Sequence, residues 1–130
     1  MAGRAALGLA DTSLFIAQEQ RRPVRSEPPD RIAVSVVSIG ELSLGVLTAT
    51  GQSRARRLET LRRAESLTPL PITHRVAATW AALRLALRDA GRQMPLNDSW
   101  IAATALSEGI PVVTQDRDYD DVPGLAVIRM

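Results

Sequence analysis

The chain has 130 residues, a formal net charge of +2 and no cysteine. All sixteen basic residues are arginine, and the one histidine is His74. This length suits one domain over residues 1–130. The composition removes disulfides, thiolate zinc sites, cysteine nucleophiles, Walker and Schiff-base lysines and two-histidine zinc motifs.

Ala6–Ala10 (ALGLA) reads as a buried strand that runs into Asp11-Thr12-Ser13, a helix start with Asp11 or Thr12 near the N-cap. Leu14, Phe15 and Ile16 open a short helix ending near Gln20. Residues 21–31, rich in proline and charge, predict a surface loop, the most mobile part of the chain. Ile32–Val37 is β-branched and reads as a second strand. Ser38 and Glu41 then have the spacing of a capping box, which predicts Ser38 at N-cap and a helix carrying Leu42, Val46 and Leu47 as far as Gly51.

Ser53 starts an arginine-rich helix to about Ser66, with Leu58 and Leu61 as a narrow apolar stripe. Leu67–Ile72 holds two prolines and reads as an edge strand. Thr73 caps a long helix bearing Val76, Trp80, Leu83 and Leu87, closed by Gly91. After a loop, Asn97-Asp98 opens a helix closed by Gly109. Pro111–Thr114 is a strand, Gln115–Asp121 an acidic turn, and Leu125–Ile128 a last strand. The alternation of apolar strands and helices predicts an α/β fold: a central, mostly parallel sheet covered on both faces.

In such a sheet the strand C-termini and the following helix N-termini share one edge, where ligands bind. Asp11, Glu41, Asp98 and Asp116 come from widely separated positions and all map to that edge. Carboxylates gathered there repel unless a cation intervenes, and a hard divalent ion such as Mg²⁺ or Mn²⁺ suits oxygen ligands. Each acid also has a plain explanation. Glu41 and Asp98 suit the positive end of a helix dipole, Asp11 suits an N-cap, and Asp116 lies in an acidic turn.

The segments LGLADTSLFIA, VSVVSIGELSLGV and NDSWIAATALSEGIPVVTQDRDYDDVPGL resemble, in order, those of PIN-domain ribonucleases, with VapC-type toxins of toxin–antitoxin pairs as the nearest likeness. That resemblance covers nearly the whole chain and implies a three-layer α/β/α fold. It implies a Mg²⁺- or Mn²⁺-dependent endoribonuclease with Asp11, Glu41, Asp98 and Asp116 as metal-binding and catalytic acids. Thr12, Ser13 or Thr114 would lie in the polar shell, and Asp118 is an additional or alternative ligand. The expected products carry a 3′-hydroxyl and a 5′-phosphate. The expected partners are an RNA substrate (tRNA or rRNA), a small cognate antitoxin and a second copy of the chain as a homodimer. No membrane span or signal-peptide pattern is visible, so the expected location is cytoplasmic. The alternative is a non-catalytic RNA- or protein-binding module of the same fold.

The remaining features have two readings each. The 54–63 arginines suit RNA phosphates or a solvated face. Trp80 and Trp100 suit core packing, with Trp100 supporting the site from behind as its second reading, and His74 reads as structural. Leu14, Phe15 and the 42–47 helix suit ordinary core better than a partner surface.

Overall fold

A computed structural model describes residues 6–23 and 27–130. The elements are β1 (Leu7–Ala10), α1 (Thr12–Glu19), β2 (Arg31–Val34), α2 (Val36–Thr48), α3 (Gly51–Glu65), α4 (His74–Asp89), α5 (Leu96–Glu108), β3 (Val112–Thr114) and β4 (Val127–Arg129). The four strands run in the order β2-β1-β3-β4, and every pair is parallel. Part of the predicted 21–31 loop, residues 24–26, lies outside the described residues; the rest of residues 21–30 is irregular.

Successive side chains of a strand face opposite sides, and the two cores divide accordingly. Leu9 and Val112 pack with Val76, Leu83, Leu87 and Ile101 beneath α4 and α5. Ala10, Val34 and Val113 pack with Leu14, Phe15, Leu42 and Ala64 beneath α1, α2 and α3. These are the three expected layers. Gly8 leaves no room for a side chain: a Cβ there would lie 2.5 Å from Val113 Cγ2 and 2.9 Å from Pro29 Cγ. Gly8→Ala is therefore expected to cost about 1–3 kcal/mol of stability by overpacking. An unchanged urea midpoint for that variant would refute the crowding.

Several local expectations are corrected. The second strand stops at Val34, and α2 begins at Val36. Its N-cap is Ser35, whose side chain accepts from the Val37 amide at 3.0 Å, so there is no capping box of Ser38 with Glu41. Ser38 is instead fully buried inside the helix. The β-branched run continues past the strand, and Ser35, a residue type suited to an N-cap, breaks it. Leu67–Ile72 forms no strand. It contributes one bridge, with the Leu70 amide donating to Val34 O and Leu70 O accepting from the Val36 amide. The two prolines leave too few donors for more.

Leu47, expected in the core, is 71% exposed, whereas Leu42 and Val46 are buried as expected. On α3 the buried residues are Thr60 and Ala64, with Leu58 and Leu61 half-buried beside them. Thr73 caps α4 as expected, accepting from the Val76 amide at 3.1 Å. Gly91 and Gly109 end α4 and α5 with φ of 69° and 67°, left-handed conformations that favour glycine. His74 is exposed at the first position of α4.

Candidate acidic active site

From β1 the chain moves to β2 on one side, and later returns to β3 on the other. This reversal leaves a crevice at the C-terminal ends of β1 and β3, the usual ligand position in an open parallel sheet. Asp11 follows β1 and Asp116 lies two residues beyond β3. The first turn of α5 brings Asp98 to the same crevice.

Asp11 is 2% exposed. Although it is the N-cap of α1, its side chain makes no capping bond. Its Oδ1 accepts from Ser13 Oγ at 2.7 Å and its Oδ2 from Thr114 Oγ1 at 2.9 Å. The same two hydroxyls accept from the Gln115 and Asp116 amides, at 3.2 and 2.8 Å. Ser13 and Thr114 thus tie the Asp11 carboxylate to the loop that carries Asp116. Burial, aided by the charge of Asp116, raises the Asp11 pKa from 3.8 to about 6, against the lowering effect of both hydroxyls.

Asp98 is half-buried. Burial first, then a hydrogen bond with Asp118 and the charges of Asp118 and Asp11, raise its pKa to about 7. Tyr119, 0% exposed, donates its hydroxyl to Asp98 Oδ1 at 3.1 Å and opposes that rise. Burial and the charges of Asp11, Asp98 and Glu41 push the phenol itself upward, which keeps it a neutral donor.

One carboxylate oxygen each from Asp98, Asp116 and Asp118 lie within 4.8 Å of one another. Asp118 therefore stands beside Asp98 and Asp116. Asp11 forms the buried back of the site, with its charge felt by Asp98. Glu41 is outside the group of three. Its Oε1 accepts from Thr12 Oγ1 at 2.6 Å and its Oε2 from Asn97 Nδ2 at 3.4 Å, so α1 and α5 both hold it. Thr12 Oγ1 also lies 3.0 Å from the buried Ser38 Oγ. The donors are all hard oxygen atoms, and the crowded carboxylates lower their repulsion only by holding protons or a cation. The residues present therefore fit a divalent ion.

Sequence reasoning missed the roles of Tyr119, Asn97 and Ser38. A lone tyrosine within an acidic turn and an asparagine beside Asp98 were the signals for the first two. Ser38 gave none, because its spacing to Glu41 imitated a cap. Trp80 and Trp100 stack at 4.2 Å with their planes 3° apart. Trp80 Nε1 donates to Ser99 Oγ at 3.0 Å, and Ser99 Oγ donates to Leu96 O at 2.5 Å. The expected packing pair thus also pins the turn of α5 that carries Asp98.

The PIN domain model matches residues 9–125. Ribonuclease VapC4 of Mycobacterium tuberculosis is 49% identical over 128 residues, covering 94% of this chain and 95% of that one. Ribonuclease VapC5 of the same organism is 43% identical over 127 residues, covering 96% and 94%. The structure resembles a crystal structure of VapBC-5, a member of the VapBC family of toxin–antitoxin systems from M. tuberculosis. The TM-score is 0.85 at 43% identity, over 96% of this chain and 99% of that one. With the acids gathered at the crevice of a parallel sheet and relatives alike along almost their whole length, the chain belongs to the PIN-domain family, among the VapC ribonucleases.

Proposed function

We propose that the chain is a divalent-metal-dependent endoribonuclease and the toxin of a toxin–antitoxin pair. The observation that carries this reading is the convergence of Asp11, Asp98, Asp116 and Asp118 in a chain 49% identical to a named ribonuclease. Asp98, Asp116 and Asp118 would hold the ion, Mg²⁺ or Mn²⁺, with Asp11 behind them. Such an ion supplies Lewis-acid charge to a phosphodiester and acidifies a water.

The chain's own residues do the rest. Ser13 and Thr114 keep the Asp11 carboxylate from turning. Tyr119 fixes Asp98 Oδ1 and leaves its other oxygen to the site. Glu41, held from two sides, orients the attacking water and takes up its proton. The substrate is RNA, tRNA or rRNA by the family likeness, and the products carry 3′-hydroxyl and 5′-phosphate ends. The relation to a toxin–antitoxin family supports a small antitoxin as partner, and we extend the proposal to a homodimer. Among the described residues no helix is long and apolar enough to cross a membrane, in keeping with a site of action in the cytoplasm.

The test is cleavage of RNA by the purified chain with Mn²⁺, followed by end-group analysis. Cleavage that EDTA abolishes, and that Asp98→Asn lacks, is the expected result. An inert wild-type chain, with metal present and antitoxin removed, would leave only a binding module.

A further inference from the structure

One cleft among the described residues is lined by none of the acids of the site. It is an open groove of about 660 Å³ along α4 and the turn into α5. Arg84, Arg88 and Arg92 line it together with Trp80, Leu85 and Met94, and no carboxylate is among its lining residues. The three arginines follow at four-residue steps. Arg84 and Arg88 therefore stand on one face of α4, about 6 Å apart along its axis. Arg92 continues the row beyond Gly91, where the left-handed turn redirects the chain.

Two of these guanidinium groups are anchored. Arg84 Nη1 donates to Met94 O at 3.4 Å and Arg92 Nη1 to Asp121 O at 2.7 Å. Each guanidinium has five N–H donors, so most remain available. Arg88 comes within 3.9 Å of Asp89, with the two side chains 79% and 68% exposed, a pairing that solvent screens strongly. Trp80 cannot swing out: it stacks on Trp100, bonds Ser99 and has the Arg84 guanidinium carbon 5.8 Å from its ring centroid. The groove thus offers two anchored cations and a solvent-facing third beside an apolar wall in which Trp80 is held in place.

Its position relates it to the acids. Trp80 bonds the residue next to Asp98, and Arg92 bonds the acidic turn that carries Asp116 and Asp118. A second cleft, lined by Arg22, Arg117 and Arg129, also has no acidic side chain among its lining residues. Arg129 of that cleft pairs with Asp120, and Arg56 and Arg63 of α3 share another cleft with Glu19 and Glu59.

We propose that this groove binds the phosphate backbone of the RNA strand beyond the bond that is cut. Arginine forks suit phosphate oxygens, and backbone contacts set register without reading sequence. The apolar wall formed by Trp80, Leu85 and Met94 accommodates a ribose or base edge. The inference rests on the ribonuclease reading for its ligand class, but its test is separate.

The test measures binding of a labelled single-stranded oligoribonucleotide to Asp11→Asn protein, which does not consume it. Adding Arg84→Gln and Arg88→Gln together is expected to weaken binding about tenfold. The slope of log Kd against log salt should fall by about 1.4, two contacts' worth. Arg88→Glu alone, with an unchanged melting temperature, should weaken binding, whereas Arg88→Lys should keep most of it. In the cleaving enzyme, Arg88→Glu should raise KM on long RNA and leave kcat unchanged. Unchanged affinity and salt slope in the double variant overturn the proposal, as does loss of antitoxin binding with RNA binding intact. If the wild type cuts no RNA but the double variant still binds RNA more weakly, the catalytic reading falls and the groove stands.

Discussion

Asp11→Asn is expected to reduce RNA cleavage about a thousandfold or more, and to make the metal-free protein more stable at neutral pH. The two effects have one cause. Asp11 is 2% exposed and its pKa is raised to about 6, so holding it ionised at pH 7 opposes folding. Asparagine has nearly the same shape and no charge. The hydroxyls of Ser13 and Thr114 can each donate or accept, so they can re-pair with an amide. No helix cap is lost, because the Asp11 side chain makes none. The expected gain is on the order of 1–3 kcal/mol. Thermal unfolding in EDTA and a gel-based cleavage assay read the two effects. A variant that cuts RNA like the parent removes Asp11 from the catalytic acids. A variant that melts well below the parent shows that its charge supports the fold.

The second large effect links pH, metal and stability. Asp11 and Asp98 have folded-state pKa values of about 6 and about 7, both above the ordinary 3.8. The folded chain therefore holds protons more tightly than the unfolded chain. The stability from that preference is fully present below about pH 4 and is lost as pH rises through 6 to 7. Metal-free protein should melt several degrees lower at pH 8 than at pH 5. A divalent ion requires the ionised carboxylates, so its effect has the opposite pH dependence. At pH 8, Mn²⁺ at a hundredfold excess over its Kd should add about 2.7 kcal/mol. At pH 5 protons compete and the increment should nearly vanish. Asp98→Asn should lose the Mn²⁺ increment at both pH values. Equal Mn²⁺ shifts at pH 5 and pH 8, or the same shift in Asp98→Asn, would place the ion elsewhere.

Much of the candidate acidic cluster is legible in the sequence, because strand ends and helix starts are. An acid directly after ALGLA or shortly after PVVT must lie at the C-terminal edge of a parallel sheet. Asp98 followed from its place at a helix start. Glu41 reached the same neighbourhood through a wrong local reason. It is the sixth residue of α2 and not part of a capping box, and it faces Thr12 and Asn97 across three helices. The chain alternation indicated the layers, although Leu67–Ile72 supplied only a bridge.

The sequence by itself determined the chemistry open to this protein. With arginine as its sole basic side chain apart from His74, and with no cysteine, the chain leaves carboxylates and metal as its main catalytic means. It also determined the parallel sheet, because apolar strands without alternation must be covered on both faces. Tertiary structure decided which side chains meet. It seated Asp118 beside Asp98 and Asp116, turned Tyr119 inward onto Asp98, and brought Arg92 into one groove with Arg84 and Arg88. The reason is physical. Periodicity and capping act within a few residues of chain, whereas these placements depend on desolvation and on hydrogen bonds between distant residues. Packing alone brings those residues together.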